Sequence, residues 1–267
     1  MTGQPPGRLI RSSQVETTRG WPAWFTAAHA EFRAVLLAEP PHPCHFGVAG
    51  ERADHNWFTA LDESQQGLGL GIDELAETLA GFATVALTGP SKQSLVVLAG
   101  PPRKQPEWEQ HSAQFWAILR QLSRHDRQPW PVDRPVDPQS PRWQWCFAGQ
   151  AWFVFGASPA YRHRRSRNLG SCLTLVFQLS DRVFEGLSGS SPAGQAAKRQ
   201  IRHRLADYDL ATVHRHLGDA GQSSSHKWRQ YFLPDDSRTF DERSCPWTAP
   251  SNWPVTTLEP VPGRKPR

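Results

Sequence analysis

The sequence predicts an α+β fold, a single domain with a mixed, largely antiparallel sheet flanked by helices. Segments with period-2 and with helical apolar patterns interleave along 267 residues, without the regular βαβ spacing of a doubly wound sheet. An aromatic block over 143–155 alternates as two strands about a tight turn, which favours antiparallel pairing. A chain of this length fits one core, and no solenoid-length repeat divides it.

The elements follow in order. Residues 1–20 are polar with prolines and glycines, and 248–267 carry five prolines; both ends are expected to be flexible, leaving 21–247 as the folded functional domain. Phe25, Ala28, Phe32, Val35 and Leu36 recur at helical spacing until Pro40-Pro41 stops them, predicting a first helix. Leu75, Leu79 and Phe82 share one face of a second helix, with Asp73 as its cap. Ala83–Leu87 then reads as a strand, and Ser94–Leu98 as its hairpin partner across a Gly89-Pro90 turn. Phe115, Ile118, Leu119 and Leu122 stand at i, i+3, i+4 and i+7 of a third helix. The proline-rich stretch 129–141 excludes helix and central strand and reads as an ordered crossover. Trp143, Trp145 and Phe147 alternate with Gln144, Cys146 and Ala148, Gly149-Gln150 turns the chain, and Trp152–Phe155 returns. Leu173–Phe177 is a further strand, and Ala197, Ile201 and Leu205 place an apolar stripe on a later, basic helix.

Composition narrows the class. The four cysteines, Cys44, Cys146, Cys172 and Cys245, show neither C-x-x-C spacing nor the density of a disulfide scaffold, so they read as reduced thiols. The first residues lack a long apolar core and no stretch approaches the ~20 apolar residues that span a bilayer. The expectation is a soluble, cytoplasmic protein. Net charge is +5, much of it from the run Arg162-His163-Arg164-Arg165-Ser166-Arg167, which reads as a solvated face or a phosphate-facing stripe. Twelve tryptophans against three tyrosines and one methionine suit either an extensive core or the walls of a flat ligand's pocket.

Familiar catalytic templates are absent: there is no G-x-x-x-x-G-K-[ST], H-E-x-x-H or G-x-S-x-G. Gly67, Gly69 and Gly71 alternate before Ile72 but follow no strand signal, so they read as a flexible turn. Pro41-His42-Pro43-Cys44-His45 is the one dense Cys/His set, and its members are too adjacent to form one chelating face. Three residues stand out as ligands for a soft metal or a haem iron. Cys245 is followed by Pro246, which deletes a backbone donor and stiffens the approach; Cys44 follows a proline and precedes Phe46-Gly47; His214 lies in a His-Arg-His segment. Each has a plain alternative, a buried thiol packed as a small hydrophobe or a surface imidazole.

These pieces, in order and spacing, resemble the YqcI/YcgG family. The resemblance runs from Pro43-Cys44-His45-Phe46-Gly47 through Trp145-Cys146-Phe147-Ala148-Gly149-Gln150, Phe153-Val154-Phe155, Ser158-Pro159, Arg165-Ser166-Arg167 and Thr174-Leu175-Val176-Phe177. It continues through Arg204-Leu205-Ala206-Asp207-Tyr208-Asp209, Arg229-Gln230-Tyr231-Phe232 and Cys245-Pro246-Trp247. Two departures stand out. Gln178-Leu179-Ser180-Asp181 occupies a place where many relatives carry an asparagine and a histidine, and Trp247 replaces the phenylalanine of the common Cys-Pro-Phe ending.

The family includes haem-dependent N-hydroxylases of guanidine-bearing amino acids, one branch supplying N-hydroxy-L-arginine in D-cycloserine biosynthesis. The resemblance therefore implies a haem-binding catalytic domain over 21–247, haem b (iron protoporphyrin IX) as cofactor and L-arginine or a related guanidine amino acid as substrate. Oxygen with a reductase partner, or hydrogen peroxide, would be the oxidant. Cys245 is then the first choice of axial ligand, Cys44 the second, and His214 the choice for an imidazole-bound iron or a proton relay. Arg165 or Arg167 would pair with the propionates, and Trp145, Phe153 and Tyr231 would contact the macrocycle. Asp207, Asp209 and Glu185, with Asp235 and Asp236 behind them, are candidates for the substrate guanidinium, and Arg229 for its carboxylate. Two alternatives stand beside this reading: a haem-binding or haem-sensing protein without turnover, and a basic nucleic-acid-binding module built on 162–167 and the helix over 195–205.

Overall fold

Alternating and helical apolar patterns resolve into one open sheet covered on both faces. A computed structural model describes residues 8–64, 68–186, 191–217, 226–240 and 245–249. The chain runs β1 (Ile10–Arg11), α1 (Ala23–Leu37), α2 (His45–Arg52), β2 (Asn56–Asp62), α3 (Ile72–Thr88), β3 (Ser94–Gly100) and α4 (Trp108–His125). It continues through β4 (Cys146–Phe147), β5 (Gln150–Ala157), β6 (Leu173–Leu179), α5 (Ser180–Val183) and α6 (Pro192–Tyr208), with single 3-10 turns at Arg165–Arg167, Arg215–Leu217 and Lys227–Gln230.

The strand order is β1-β2-β3-β6-β5-β4. β2 and β3 run parallel, joined by α3 as the crossover, and the other neighbouring pairs are antiparallel. This is the mixed, largely antiparallel α+β domain expected. Among the described residues no helix is long and apolar enough to cross a membrane.

Each face of the sheet has its own core. On one, α3 and α4 set Leu79, Phe82, Phe115 and Leu119 against Val97, Trp152 and Phe177. Trp143, Trp145, Trp228, Tyr231 and Trp247 extend this layer, so the tryptophans are mainly core. Gly156 on β5 leaves the room that lets the Phe232 ring lie against the strand. On the other face α1 packs Phe25, Phe32 and Leu36 against Phe58, Val96 and Val176.

Several local expectations change. Ala83–Leu87 is no strand but part of α3, because Leu75, Leu79, Phe82 and Ala86 all bury one helical face. Helix-favouring Ala83 and Ala86 there outweigh β-branched Thr84 and Val85. The hairpin across Gly89-Pro90 is accordingly replaced by parallel pairing of β3 with β2. Gly71, not Asp73, is the α3 N-cap, its N–H donating to Glu74 Oε2 at 3.0 Å. Residues 8–20 are not a loose tail: Ile10–Arg11 pairs with β2, and Leu9 and Val15 are buried. The remaining terminal stretches, 1–7 and 250–267, and Gly67 lie outside the described residues. The aromatic hairpin forms, but its turn is Ala148-Gly149 rather than Gly149-Gln150: positive φ at Ala148 (51°) and Gly149 (67°) makes the type I′ turn, Gln150 already pairs with Phe147 as the first residue of β5, and β4 is only Cys146–Phe147.

Candidate functional site

Strand alternation sends Trp152 and Val154 of β5 into the α3/α4 core and turns Phe153 and Phe155 to the opposite face. On that face α1 covers the β2–β3 half. Over the β5–β6 half the chain leaves a cleft of about 160 Å³. Phe153, Phe155 and Gln178 form its floor, Phe184 and Leu217 its sides, and Ile201 and Leu205 of α6 its roof. Gly194 is the one buried residue of the 17-residue α6, which is tied to its surroundings by Arg202 on the Leu217 carbonyl at 2.9 Å and by Arg165 on the Tyr208 carbonyl at 2.9 Å. An apolar helical stripe that meets open space instead of a packed partner marks a ligand-accepting surface.

The start of α2 closes one end of the cleft with His42, Cys44, His45 and Phe46. Cys44 is the N-cap of α2, and its Sγ accepts the Gly47 N–H at 3.4 Å. Behind it, buried His42 ties the loop to the Arg165–Arg167 turn. The Cys44 N–H donates to His42 Nδ1 at 3.1 Å, which places the ring proton on Nε2, 3.0 Å from the Ser166 carbonyl. Burial pushes the His42 pKa down to about 4, so the ring is neutral. Burial likewise pushes the Cys44 thiol up, opposed by the Gly47 N–H and by Arg167.

The basic run is spent mostly on the protein itself. Arg164 is buried and donates to the Pro234 and Asp236 carbonyls at 3.0 and 3.1 Å, with Asp209 at 3.8 Å. Arg167, also buried, donates to the Gln230 carbonyl at 3.1 Å and lies over the Phe155 ring. Arg165 sits outside, bonded to the Tyr208 carbonyl and over its ring. The run 162–167 therefore forms no continuous phosphate-facing stripe.

The candidate carboxylates are committed elsewhere. Asp209 accepts from Ser166 N and Oγ at 2.7 and 2.9 Å, and burial raises its pKa. Asp235 accepts the backbone N–H groups of Arg162, His163 and Arg164, and Asp236 pairs with Arg238. Asp207 and Glu185 are exposed, the first 3.6 Å from His203 and the second 3.0 Å from Arg182. None of the five lines the cleft.

Other candidates lie apart from the cleft. Trp145 is buried in the α3/α4 core with its Nε1 on Ser123 Oγ, and the Tyr231 hydroxyl accepts from Trp145 N and donates to the Trp152 carbonyl. Cys245 packs against the same aromatic core, its thiol pushed up to about 12 by burial. His214 has both ring nitrogens engaged, by His216 N–H at 3.2 Å and the Arg238 carbonyl at 2.9 Å. The structure thus brings Cys44, Phe153 and Arg167 to one cleft and leaves Cys245, Trp145 and Tyr231 in the core of the opposite face. Residue reading missed His42, Phe46, Phe155 and Phe184; Phe155 was signalled by its alternation with Phe153.

Among the described residues no three His, Cys, Asp or Glu side chains gather into a chelating set. The cleft offers instead one soft sulfur donor, the His45 imidazole beside it and aromatic walls without a carboxylate. That donor set suits a haem iron and is unsuited to hard, oxygen-seeking cations.

Known proteins show the same sequence pattern. The profile of the YqcI/YcgG family matches residues 32–248, from the middle of α1 to just past Trp247. The chain belongs to the YqcI/YcgG family. This family member is 36% identical over 179 residues to "Uncharacterized protein YcgG" of Bacillus subtilis (strain 168), covering 66% of this chain and 69% of that protein. It is 35% identical over 182 residues to "Uncharacterized protein YqcI" of the same organism, covering 67% and 70%. It is 32% identical over 221 residues to "Putative N(omega)-hydroxy-L-arginine synthase DcsA" of Streptomyces lavendulae, covering 80% and 81%. No solved structure matches it significantly.

Proposed function

We propose that this YqcI/YcgG member is a haem-dependent monooxygenase that converts L-arginine to N-hydroxy-L-arginine in secondary-metabolite biosynthesis; haem b would bind in the cleft, with the Cys44 sulfur holding its iron. The observation that carries the reading is a conjunction. A relative matching four-fifths of the chain is named for making this product, and the cleft presents a thiol within aromatic walls.

Haem bound there would supply oxygen activation, the thiolate favouring O–O cleavage. Overall, one oxygen atom enters a guanidinium N–H bond. With dioxygen, two electrons and two protons from a reductase release the second oxygen atom as water; with hydrogen peroxide no external electrons are needed. The chain's own contribution is placement. The Gly47 N–H on Sγ stabilises the deprotonated sulfur, and His42 fixes the loop that carries it. Phe153, Phe155 and Phe184 keep water from the reacting face and offer ring faces to a planar cation. The cleft, at about 160 Å³, is smaller than the roughly 300–1,000 Å³ usual for sites of larger ligands, so loading requires α6 to move outward.

The test is a set of visible spectra on protein made with ample haem, for wild type, Cys44→Ala, Cys245→Ala and His214→Ala. A red-shifted ferrous carbonyl band lost in Cys44→Ala alone, together with hydroxyarginine detected by mass spectrometry, is the expected result. Loss in Cys245→Ala alone would move the ligand to the opposite face. Haem uptake without product would identify a haem-binding protein without turnover. Well-folded protein that takes up no haem and makes no product rejects the proposal.

A further inference from the structure

Two short turns, Arg215–Leu217 and Lys227–Gln230, pack together at the edge of the cleft, where Arg202 of α6 donates to the Leu217 carbonyl at 2.9 Å. Arg229 is 5% exposed, yet its Nε and Nη2 have no hydrogen-bond partner among the described residues. The guanidinium lies over the Trp228 ring, 5.2 Å from its centroid. The indole Nε1 of buried Trp228 and the Nε2 of buried His216 likewise find no partner among the described residues. Phe240 links them, stacking on His216 at 6.2 Å and meeting Trp228 at 5.6 Å.

Buried polar groups are almost always satisfied, so a run of unmet nitrogens around one cation calls for an occupant. Nε and Nη2 are the parallel donors of one guanidinium edge, spaced to match the two oxygens of a carboxylate. The unmet Nε2 of His216 adds a further hydrogen-bonding atom to the same group. A second cation or a neutral apolar group would leave the Arg229 edge unmet.

We propose that Arg229, flanked by Trp228 and His216, binds the α-carboxylate of the amino-acid substrate, an inference that rests on arginine being that substrate. The neighbouring chain leads to the cleft. Leu217, next to His216, lines it, and the carbonyls of Gln230 and Tyr231, which follow Arg229, accept from cleft-lining Arg167. A carboxylate at Arg229 would thus anchor the molecule by its backbone end beside the segments that border the cleft.

Calorimetric titration of the haem-loaded protein with L-arginine and with agmatine, which lacks the carboxylate, tests this. Wild type is expected to bind arginine at least about 30-fold more tightly than agmatine, the lower end for a buried charge-assisted pair. Arg229→Gln should erase that preference by weakening arginine alone, and Arg229→Lys should restore part of it. If Arg229→Gln fails to fold, the wild-type comparison decides by itself. Equal affinity of wild type for both ligands overturns the inference while leaving the hydroxylase reading intact. Arg229→Gln that loses haem but keeps the preference for arginine assigns the site to a cofactor propionate and equally overturns it. Haem-loaded protein that binds neither ligand removes the proposed function and the inference together.

Discussion

The two faces of the sheet are built from similar residues and do different work. Strand β5 serves both: Trp152 and Val154 are fully buried against α3 and α4, while Phe153 and Phe155, one position along, remain half-buried in the cleft. The α3/α4 face is tiled by aromatic pairs, such as Trp145 on Phe147 at 5.7 Å and Trp116 on Tyr231 at 6.0 Å. The opposite face has a helix roof with one buried residue. Aromatic content alone therefore does not mark a ligand site. What marks it is an aromatic surface whose covering element has not closed on it.

The sharpest way to break this comparison is to remove the thiol. Cys44→Ala is expected to lose essentially all bound haem while keeping the wild-type unfolding midpoint to within about 1 kcal/mol, since Cys44 is only partly buried. Cys245→Ala should retain the pigment, and spectra with urea unfolding of both variants check the contrast. Next in size, Trp152→Ala should cost about 3–5 kcal/mol, because its ring is buried and its Nε1 bonds the Phe147 carbonyl. Urea titration measures it, and a cost near 1 kcal/mol would mean the tiled face is loosely packed.

Acid should weaken the cleft face. His29 and His42 both lie on that side and have pKa values held down to about 4, chiefly by burial. The unfolded chain takes up protons below about pH 6.5 that the native state refuses, so stability falls as pH drops from there toward about 4. For fully buried His42 the loss is up to about 1.4 kcal/mol per pH unit. His42→Asn should flatten this dependence, read from urea midpoints between pH 7 and 5. Smallest in stability is Phe153→Leu, expected to cost less than about 1 kcal/mol because the ring is half-exposed, yet to shift the haem spectrum. An unchanged spectrum would detach Phe153 from the site.

Much of the architecture was legible where one face of an element is buried and the other is not. The α4 stripe, the aromatic hairpin and the α6 stripe were all readable on that basis. β2 was not, because all seven of its residues are buried and leave no alternation to read. Helix α2 was missed because it is short, holds Gly47 and Gly50, and is capped by a sulfur rather than a hydroxyl or carboxylate. At the site, Cys44 and Phe153 could be named from sequence. Their meeting with Ile201 and Leu205 could not, since a helical stripe looks the same whether it seals a core or roofs a cleft.

The strand order has one more consequence. β1, β2 and β3 come from the chain before the proline-rich crossover, and β6, β5 and β4 from the chain after it, so the two halves meet along the five registered pairs of β3 with β6. A cut within 129–141 would yield two fragments, each carrying a contiguous half-sheet. Cys44 would travel with the first and the Phe153–Phe155 floor with the second, so pigment capture would report their reassociation directly, as in a split reporter.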